Sequence, residues 1–114
     1  DSKPKREELY TVKEVISPEK IRLSNDLIIK LIGVKENPLN NLEAISFLIK
    51  KTKGKRVYLK YDKIKHDIEN NLLCYLYLEN RTFINSHLIK NGLANVNCDI
   101  DFKYKNQFLQ LINQ

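Results

Sequence analysis

The 114-residue chain contains no methionine and no tryptophan, and it has only three glycines and three prolines. Because 42% of its residues are hydrophobic and Gly and Pro are this scarce, the composition excludes a disordered or low-complexity tail. No apolar run is long enough to span a bilayer, and no apolar signal-peptide core follows the basic start. We therefore expect one globular domain with no membrane partner.

The missing methionine and the start Asp-Ser-Lys-Pro-Lys-Arg together suggest a piece of a longer protein. The first eight residues are polar, as is typical of a linker. We expect residues 1–8 to be this linker and residues 9–114 to form the domain.

Cysteine is scarce as well, with Cys74 and Cys98 far apart in the sequence. Cys74 lies within the apolar run LLCYLYL, which is typical of a small buried side chain. One pair without a Cys-x-x-Cys partner is weak evidence for a disulfide or a metal site. We expect both thiols to be reduced and structural, in a cytoplasmic protein.

Positive charge is concentrated in one segment. Residues 50–65 contain eight basic residues and one acid, a net charge of +7, whereas the whole chain carries +6. Such a patch attracts polyanions and is the expected footprint of a nucleic-acid binder. The same pattern is equally typical of an exposed strand that lysines protect from aggregation. The candidate nucleic-acid-binding residues are Lys50, Lys51, Lys53, Lys55, Arg56, Lys60, Lys63 and Lys65.

Hydrophobic periodicity predicts three strands, a helix, two strands and two helices, in that order. The predicted strands span residues 9–16, 20–23, 27–34, 56–61 and 72–80, with a Ser-Asn-Asp turn after the second. The first helix begins after Asn40, the predicted N-cap, has Glu43 at the capping-box position, and ends at Gly54. The last helix carries an apolar stripe that includes Tyr104 and Phe108. Small α+β folds share this order, but it is also the plan of a mainly β, five-stranded OB-fold Greek-key barrel with about three helices.

Three stretches resemble the staphylococcal-nuclease-like (thermonuclease) family: IRLSNDLIIKLIGVKENP, RVYLKYD and NNLLCYLYLENRTFINSHLIKNGLANV. The most specific part is a strand of the type L-A-Y-V-Y-L, a polar turn, F-V-N and L-I-x-x-G-x-A, matched by residues 73–94. The resemblance implies an OB barrel and calcium-dependent hydrolysis of DNA and RNA phosphodiesters. In that chemistry carboxylates hold the cation, two arginines neutralise the phosphate, and a glutamate serves the attacking water.

The chain departs from the family pattern at nearly every one of these positions. Glu19 and Lys35 replace two metal-binding aspartates, and Lys30 and Asn71 replace the two arginines. Glu36 replaces a threonine, and Pro38 replaces the glutamate. An ammonium at Lys35 repels a cation at contact distance, and losing one preorganised charge donor typically lowers the rate about a hundredfold. We expect no catalytic residue, no metal, and an internally paired site in which Lys30 and Lys35 face Glu19 and Glu36.

The two histidines and several tyrosines are further candidates. His87, in a short predicted helix, is expected at the surface or in packing, and His66 lies near Asp67 and Glu69 without metal-ligand spacing. Strand tyrosines are more often packing residues, but on an OB surface they also stack nucleic-acid bases. The sequence leaves both roles open for four tyrosines: Tyr58, Tyr61, Tyr75 and Tyr77.

Degenerate domains of this type, with a lysine in place of the last residue of L-I-G-I-D (here L-I-G-V-K) and a following F-I-N-x-H-L-I-K, are similar to those at the C-terminal end of some prokaryotic site-specific DNA methyltransferases. The resemblance implies a cofactor-free, inactive domain that helps an adjoining catalytic domain engage DNA, with S-adenosylmethionine bound in the parent chain. Two alternatives stay open: a protein-interaction or structural module with no nucleic-acid role, and a residual metal-dependent nuclease that uses Glu19. Fold alone does not decide among them.

Overall fold

The computed structural model describes residues 8–112. In that range the chain forms the strands β1 (Tyr10–Val15), β2 (Lys20–Leu23), β3 (Ile28–Leu31), β4 (Val34–Glu36), β5 (Arg56–Lys60), β6 (Leu72–Leu78) and β7 (Ala94–Val96). The helices of the same range are α1 (Asn41–Thr52), α2 (Ile84–Lys90) and α3 (Lys105–Ile112).

Five of these strands close into a barrel in the order β1-β2-β3-β6-β5, and β5 pairs back with β1. β1, β2 and β3 form an antiparallel meander, whereas β3 and β6 pair in parallel. The predicted mainly β, five-stranded barrel with three helices is therefore confirmed, as is the turn after β2, where Asp26 has a φ of 66°.

Alternating side chains decide which residues fill the barrel. On β3 the fully buried Ile29 alternates with Ile28 and Lys30, which are only half-buried on the outside. β5 repeats the pattern, with Val57 and Leu59 buried between exposed or half-exposed neighbours. Each fully buried aliphatic side chain contributes about 1.5–3 kcal/mol to folding, so the alternation fixes the register.

The third predicted strand, residues 27–34, is divided in the structure. β3 ends at Leu31, and the chain bends at Gly33 into β4, which pairs with β7 instead of continuing in the barrel. Gly33 has a φ of +80°, and a Cβ there would lie 2.6 Å from two ring atoms of Phe102. The prediction of one continuous strand was wrong because this close packing requires a bend at the glycine.

The helix α1 begins near the predicted residue but for another reason. The Asn40 side chain makes no capping bond and instead donates from Nδ2 to the Gly92 carbonyl oxygen at 2.8 Å. Glu43 is exposed. The predicted capping box is therefore wrong, because a tertiary partner at the end of α2 takes the asparagine amide. The predicted end is right, since the chain turns at Gly54, with a φ of +68°.

A buried asparagine fastens α2 to the barrel. Asn85 is fully buried; its Nδ2 donates to the Ile32 carbonyl oxygen at 2.9 Å, and its Oδ1 accepts from the Leu76 amide at 2.8 Å. These bonds satisfy backbone groups just past β3 and within β6, which explains the asparagine of the F-I-N motif.

The cysteines are both free: Cys74 is buried, which raises the pKa of its thiol, and Cys98 is exposed. Within residues 8–112 no helix combines the length and apolarity needed to cross a bilayer. Apart from the exposed Glu8, the predicted linker lies outside the described residues, and the boundary at residue 9 stays a prediction.

Candidate functional site

The residues at the family's catalytic positions lie on or beside the barrel strands β2, β3 and β6 and on β4 and the loop after it; we call this region the cleft. Glu19 directly precedes β2, Lys30 is on β3, and Asn71 directly precedes β6, which pairs with β3. Lys35 and Glu36 belong to β4, and Pro38 is exposed in the loop that follows. Strand pairing therefore brings together positions that are far apart in sequence.

Glu19 holds the backbone of β4. Its Oε2 accepts a hydrogen bond from the Glu36 amide at 2.8 Å, while its Oε1 lies 3.9 Å from Lys30 Nζ. The Glu19 side chain is 22% exposed, so both interactions are partly shielded from water. The carboxylate thus has a structural partner on each oxygen.

Lys30 lies between two carboxylates, because its Nζ is also 3.6 Å from Asp67 Oδ2. Asp67 in turn accepts hydrogen bonds from the backbone amide of Asn71 at 2.8 Å and from its side-chain amide at 3.1 Å. Burial raises the pKa of Asp67, but the Asn71 hydrogen bonds and the Lys30 charge outweigh it and hold that pKa below its usual value. Asp67 therefore stays ionised and neutralises Lys30.

The predicted pairing of Lys35 was wrong. The Lys35 Nζ lies 3.7 Å from Asp99 Oδ2, and both side chains are exposed. The second carboxylate near Lys30 belongs to Asp67 and not to Glu36. The cause is the β4–β7 pair, which places Lys35 opposite Asn95 and so beside the segment that follows β7. The predicted ion pair of Lys30 with Glu19 is present.

Sequence reasoning missed Asp67 and Asp99 as partners of the cleft lysines. One signal for Asp67 was available: it precedes Asn71 by four residues in a polar loop, and its Oδ1 accepts the amides of both Glu69 and Asn71. Aspartates that fold a loop in this way are common. For Asp99 the pattern offered no signal, since its partner depends on the unpredicted β7.

The cleft does not fit the calcium site that the family resemblance implies. Calcium takes about six to eight oxygen ligands, whereas Glu19 has the Glu36 amide on one oxygen and the Lys30 ammonium 3.9 Å from the other. Neither Pro38 nor Asn71 offers a carboxylate. Throughout the described range, no three His, Cys, Asp or Glu side chains come together as a metal-holding group.

The basic segment, residues 50–65, has all eight of its cations exposed. Four lie in the last turn of α1 and the turn into β5, two are the first and last residues of β5, and two lie in the loop beyond it. Arg56 and Lys60, at the two ends of β5, are about 13 Å apart along the strand. The cations thus follow the length of β5 instead of forming one compact cluster.

Few of these cations have a carboxylate partner. Arg56 pairs with Glu79 at 3.2 Å in an exposed contact, which is worth little because water and salt screen it. Among the described residues, no carboxylate lies within salt-bridge distance of Lys53 or Lys55. Lys50 and Lys51, in the last turn of α1, complement the negative end of that helix.

The structure sorts the candidate tyrosines by exposure. Tyr75 is buried, and its hydroxyl donates to Asp62, which also accepts the Lys103 amide at 2.8 Å. Tyr77 stacks against Tyr58 at 5.2 Å between ring centroids. Tyr58 is half-buried and Tyr61 is exposed. The packing role is therefore established for Tyr75, while Tyr58 and Tyr61 have surface available to a ligand.

The histidines lie outside the cleft contacts described above. His87 is half-buried on α2, and burial lowers its pKa, with the charges of Lys51 and Lys90 adding to the effect. A half-buried position agrees with the predicted place of His87 at the surface or in packing. His66 is exposed and forms a single β-bridge with Leu72.

An apolar groove of about 840 Å³ runs beside the loop that contains His66 and Asp67, a feature that the sequence analysis did not predict. Its lining includes exposed isoleucines, with Ile64 at 67% and Ile68 at 101% exposure, and also Ile100 and Phe102. In the sequence, the groove could have been predicted from the two isoleucines, Ile64 and Ile68, within the otherwise polar run DKIKHDIENN. Exposed apolar surface of this kind is characteristic of contact sites.

A comparison with protein-family models gives an independent result. Residues 13–114 match the model described as Staphylococcal nuclease homologue. In a comparison with curated proteins, no sequence matched this chain. The family match covers most of the chain and agrees with the closed five-stranded barrel with three helices. The chain therefore belongs to the staphylococcal nuclease homologue family.

Proposed function

We propose that this domain binds DNA without cleaving it and helps an adjoining DNA methyltransferase domain to engage its substrate. One observation carries the proposal: Lys30 of the cleft lies between the carboxylates of Glu19 and Asp67, whereas the cations of the basic segment are exposed and mostly without carboxylate partners. Family members generally have a nucleic-acid-binding or nuclease fold. The charge distribution favours the binding role.

The case against cleavage rests on what the cleft side chains already do. Glu19 binds the β4 backbone, and Asn71, at the second arginine position, binds Asp67. Lys30 keeps a positive charge, but an ammonium lacks the bidentate fork that stabilises a phosphoryl transition state. Each lost charge donor lowers the rate about a hundredfold or more, so two such losses leave little activity.

The case for binding rests on unneutralised charge. Lysines near phosphates release condensed counterions, and each contact contributes roughly −0.9 to the slope of log affinity against log salt. Three to five engaged cations of the basic segment would therefore give a slope of about −3 to −5. Such binding is modest, largely independent of sequence, and suited to holding a duplex while another domain reads it.

The methyltransferase context comes from the resemblance of the L-I-G-V-K and F-I-N motifs to domains at the C-terminal end of such enzymes. In this proposal the domain binds no cofactor, and S-adenosylmethionine belongs to the adjoining catalytic domain. A DNA-holding module adds affinity through effective concentration, because tethering makes the second contact intramolecular.

The test is a salt titration of DNA affinity for three proteins. Replacing Lys53, Lys55 and Arg56 by alanine should reduce the magnitude of the salt slope by roughly two to three. The control removes the same number of cations outside the basic segment, Lys13, Arg22 and Lys35, and should leave the slope nearly unchanged. Equal slopes for all three proteins, or no binding at low salt, would overturn the DNA-binding proposal.

Cleavage is tested separately with single-stranded DNA and calcium. We expect no calcium-dependent product above the level of a Glu19→Gln variant. Calcium-dependent cleavage that disappears in Glu19→Gln would show that the domain is a residual nuclease.

A protein-contact role is the second candidate, and the apolar groove favours it. Three isoleucines, Ile64, Ile68 and Ile100, expose apolar surface that a neighbouring domain of the parent chain would bury. Ile68→Asp should then weaken association with that domain, whereas Leu42→Asp should not, since Leu42 is also largely exposed, at 83%, but lies on α1 away from the groove lining. Loss of association in both variants or in neither would contradict this role.

A further inference from the structure

We infer that the outer face of β5 binds single-stranded nucleic acid, with one base stacked on Tyr58 and the neighbouring phosphates held by Arg56 and Lys60. The inference rests on the proposed DNA binding and goes beyond it, because it names a residue that contacts a base and a preference for single strands. Three observations on β5 and β6 support it.

The first observation is the alternation along β5. Val57 and Leu59 are buried in the barrel, so Arg56, Tyr58 and Lys60 project from its outer face. Successive residues on one face of a strand are about 7 Å apart, so a basic residue precedes and follows Tyr58 on this face. Both of these side chains are exposed, so a nucleotide stacked on the Tyr58 ring can meet positive charge in either strand direction.

The second observation is a column of three nearly parallel rings. Tyr58 and Tyr77 lie 5.2 Å apart between centroids with 6° between their planes, and Tyr77 and Phe83 lie 4.6 Å apart with 8° between theirs. Phe83 also contacts the buried Phe108, which anchors that end of the column in the core. Tyr58 is the outer ring, and a base would extend the column by one more aromatic plane.

The third observation is that this ring is held in place before any ligand binds. Tyr77 fixes the plane of Tyr58 from one side, and Lys60 Nζ lies 5.7 Å from the Tyr77 centroid. A prepositioned ring loses little conformational freedom on binding, so more of the stacking energy appears as affinity. Bases within a duplex are already stacked on one another, and only an unpaired base can reach the ring.

Tyr61 provides a matched comparison on the same segment. It is exposed and has Lys65 Nζ 5.8 Å from its ring centroid, so it has the same side chain and a similar charge nearby. Among the described residues, however, no other aromatic ring stacks on it. Its ring is thus not held in a column, and we assign it no base.

The test compares two single strands of equal length: an oligothymidine, and an oligomer with abasic sites in place of every base. The wild-type protein should bind the thymidine strand about 5- to 140-fold more tightly, which corresponds to the free energy of stacking one base on an aromatic side chain. Tyr58→Leu, which keeps apolar packing against Tyr77, should abolish this preference and leave affinity for the abasic strand unchanged. Tyr58→Phe and Tyr61→Ala should retain the preference.

Each outcome has a separate meaning. Equal wild-type binding to both strands, or a preference that survives Tyr58→Leu, would overturn the stacking inference while leaving charge-driven DNA binding intact. Absence of binding to either strand by a protein that still binds duplex DNA would likewise overturn only the stacking inference, and absence of binding to duplex DNA as well would overturn both proposals. A second measurement does not depend on any variant: photocrosslinking of a 5-iododeoxyuridine strand should label Tyr58 in the wild-type protein, and labelling elsewhere would contradict the inference.

Discussion

The cleft and the basic segment treat positive charge in opposite ways. In the cleft, Lys30 is 27% exposed and lies 3.9 Å from a Glu19 oxygen and 3.6 Å from an Asp67 oxygen. In the basic segment, Lys53 and Lys55 are exposed, and the described part of the chain places no carboxylate within salt-bridge distance of either. Neutralised charges stabilise a fold, whereas unneutralised ones remain available to a ligand.

This contrast shows why the number of lysines alone says little about function. A partly buried lysine between two carboxylates contributes to the native state, because removing it would leave negative charge uncompensated. An exposed lysine contributes little to the free energy of folding, and its charge remains available to a bound anion. The two regions should therefore respond differently to the same kind of substitution.

The largest expected effect concerns two glycines, one in each region. Gly33→Ala should lower the free energy of unfolding by about 2–5 kcal/mol, since a positive φ costs about 1–2 and overpacking against Phe102 adds about 1–3. Gly54→Ala has a similar φ but nothing within 4 Å of the added Cβ, and about 1 kcal/mol is expected. Denaturant unfolding measures both. Equal losses would contradict the packing role of Phe102.

The next effect sharpens the contrast between lysines. Lys30→Met should destabilise the protein by about 1–2 kcal/mol, because Glu19 and Asp67 then lack a cation in a partly shielded site. Lys53→Met, the control in the basic segment, should change stability by about 0.5 kcal/mol or less. Thermal unfolding of the two variants at low salt provides the measurement. A stable Lys30→Met protein would mean that water already screens the cleft pairs.

A smaller effect appears in the dependence of stability on pH. The pKa of Asp67 in the folded protein lies below its usual value, so as pH falls the Asp67 carboxylate is protonated in the unfolded chain before it is protonated in the folded one. The stability that the ionised carboxylate contributes is therefore lost as pH falls below about 4. Asp67→Asn should therefore flatten the acid side of the stability profile. Asp26→Asn is the control: its pKa is also lowered, by a hydrogen bond from Lys13, but both groups are exposed and screened. An unchanged acid limb in Asp67→Asn would contradict the pairing.

Local patterns predicted the barrel because its strands bury alternate residues, as Ile29 and Leu59 illustrate. The same patterns failed where a tertiary partner decides the outcome. Asn40 donates to Gly92 instead of capping α1, and the short strands β4 and β7 have too few residues for a period to be recognised. The turn at Gly33 depends on the approach of Phe102, which no local window contains.

For the candidate site, the sequence indicated which positions are altered but not how they are paired. The Lys30–Glu19 contact followed from adjacent strands, whereas Asp67 reaches Lys30 from a loop and Asp99 reaches Lys35 from beyond β7. The exposed charge of the basic segment was readable from composition. The ring column that distinguishes Tyr58 from Tyr61 required the β5–β6 register, in which Tyr58 lies opposite Tyr77.

The central claim is that nucleic acid contacts the basic segment and not the cleft, and amide chemical-shift mapping tests it most directly. A nitrogen-15-labelled sample is titrated with a short single-stranded DNA at low salt, followed by added calcium. The account predicts shifts concentrated in residues 50–65, largest around Tyr58, with the amides of Glu19, Lys30, Lys35 and Asn71 unmoved by DNA or by calcium. Shifts centred on those four cleft residues, or strengthened there by calcium, would contradict it.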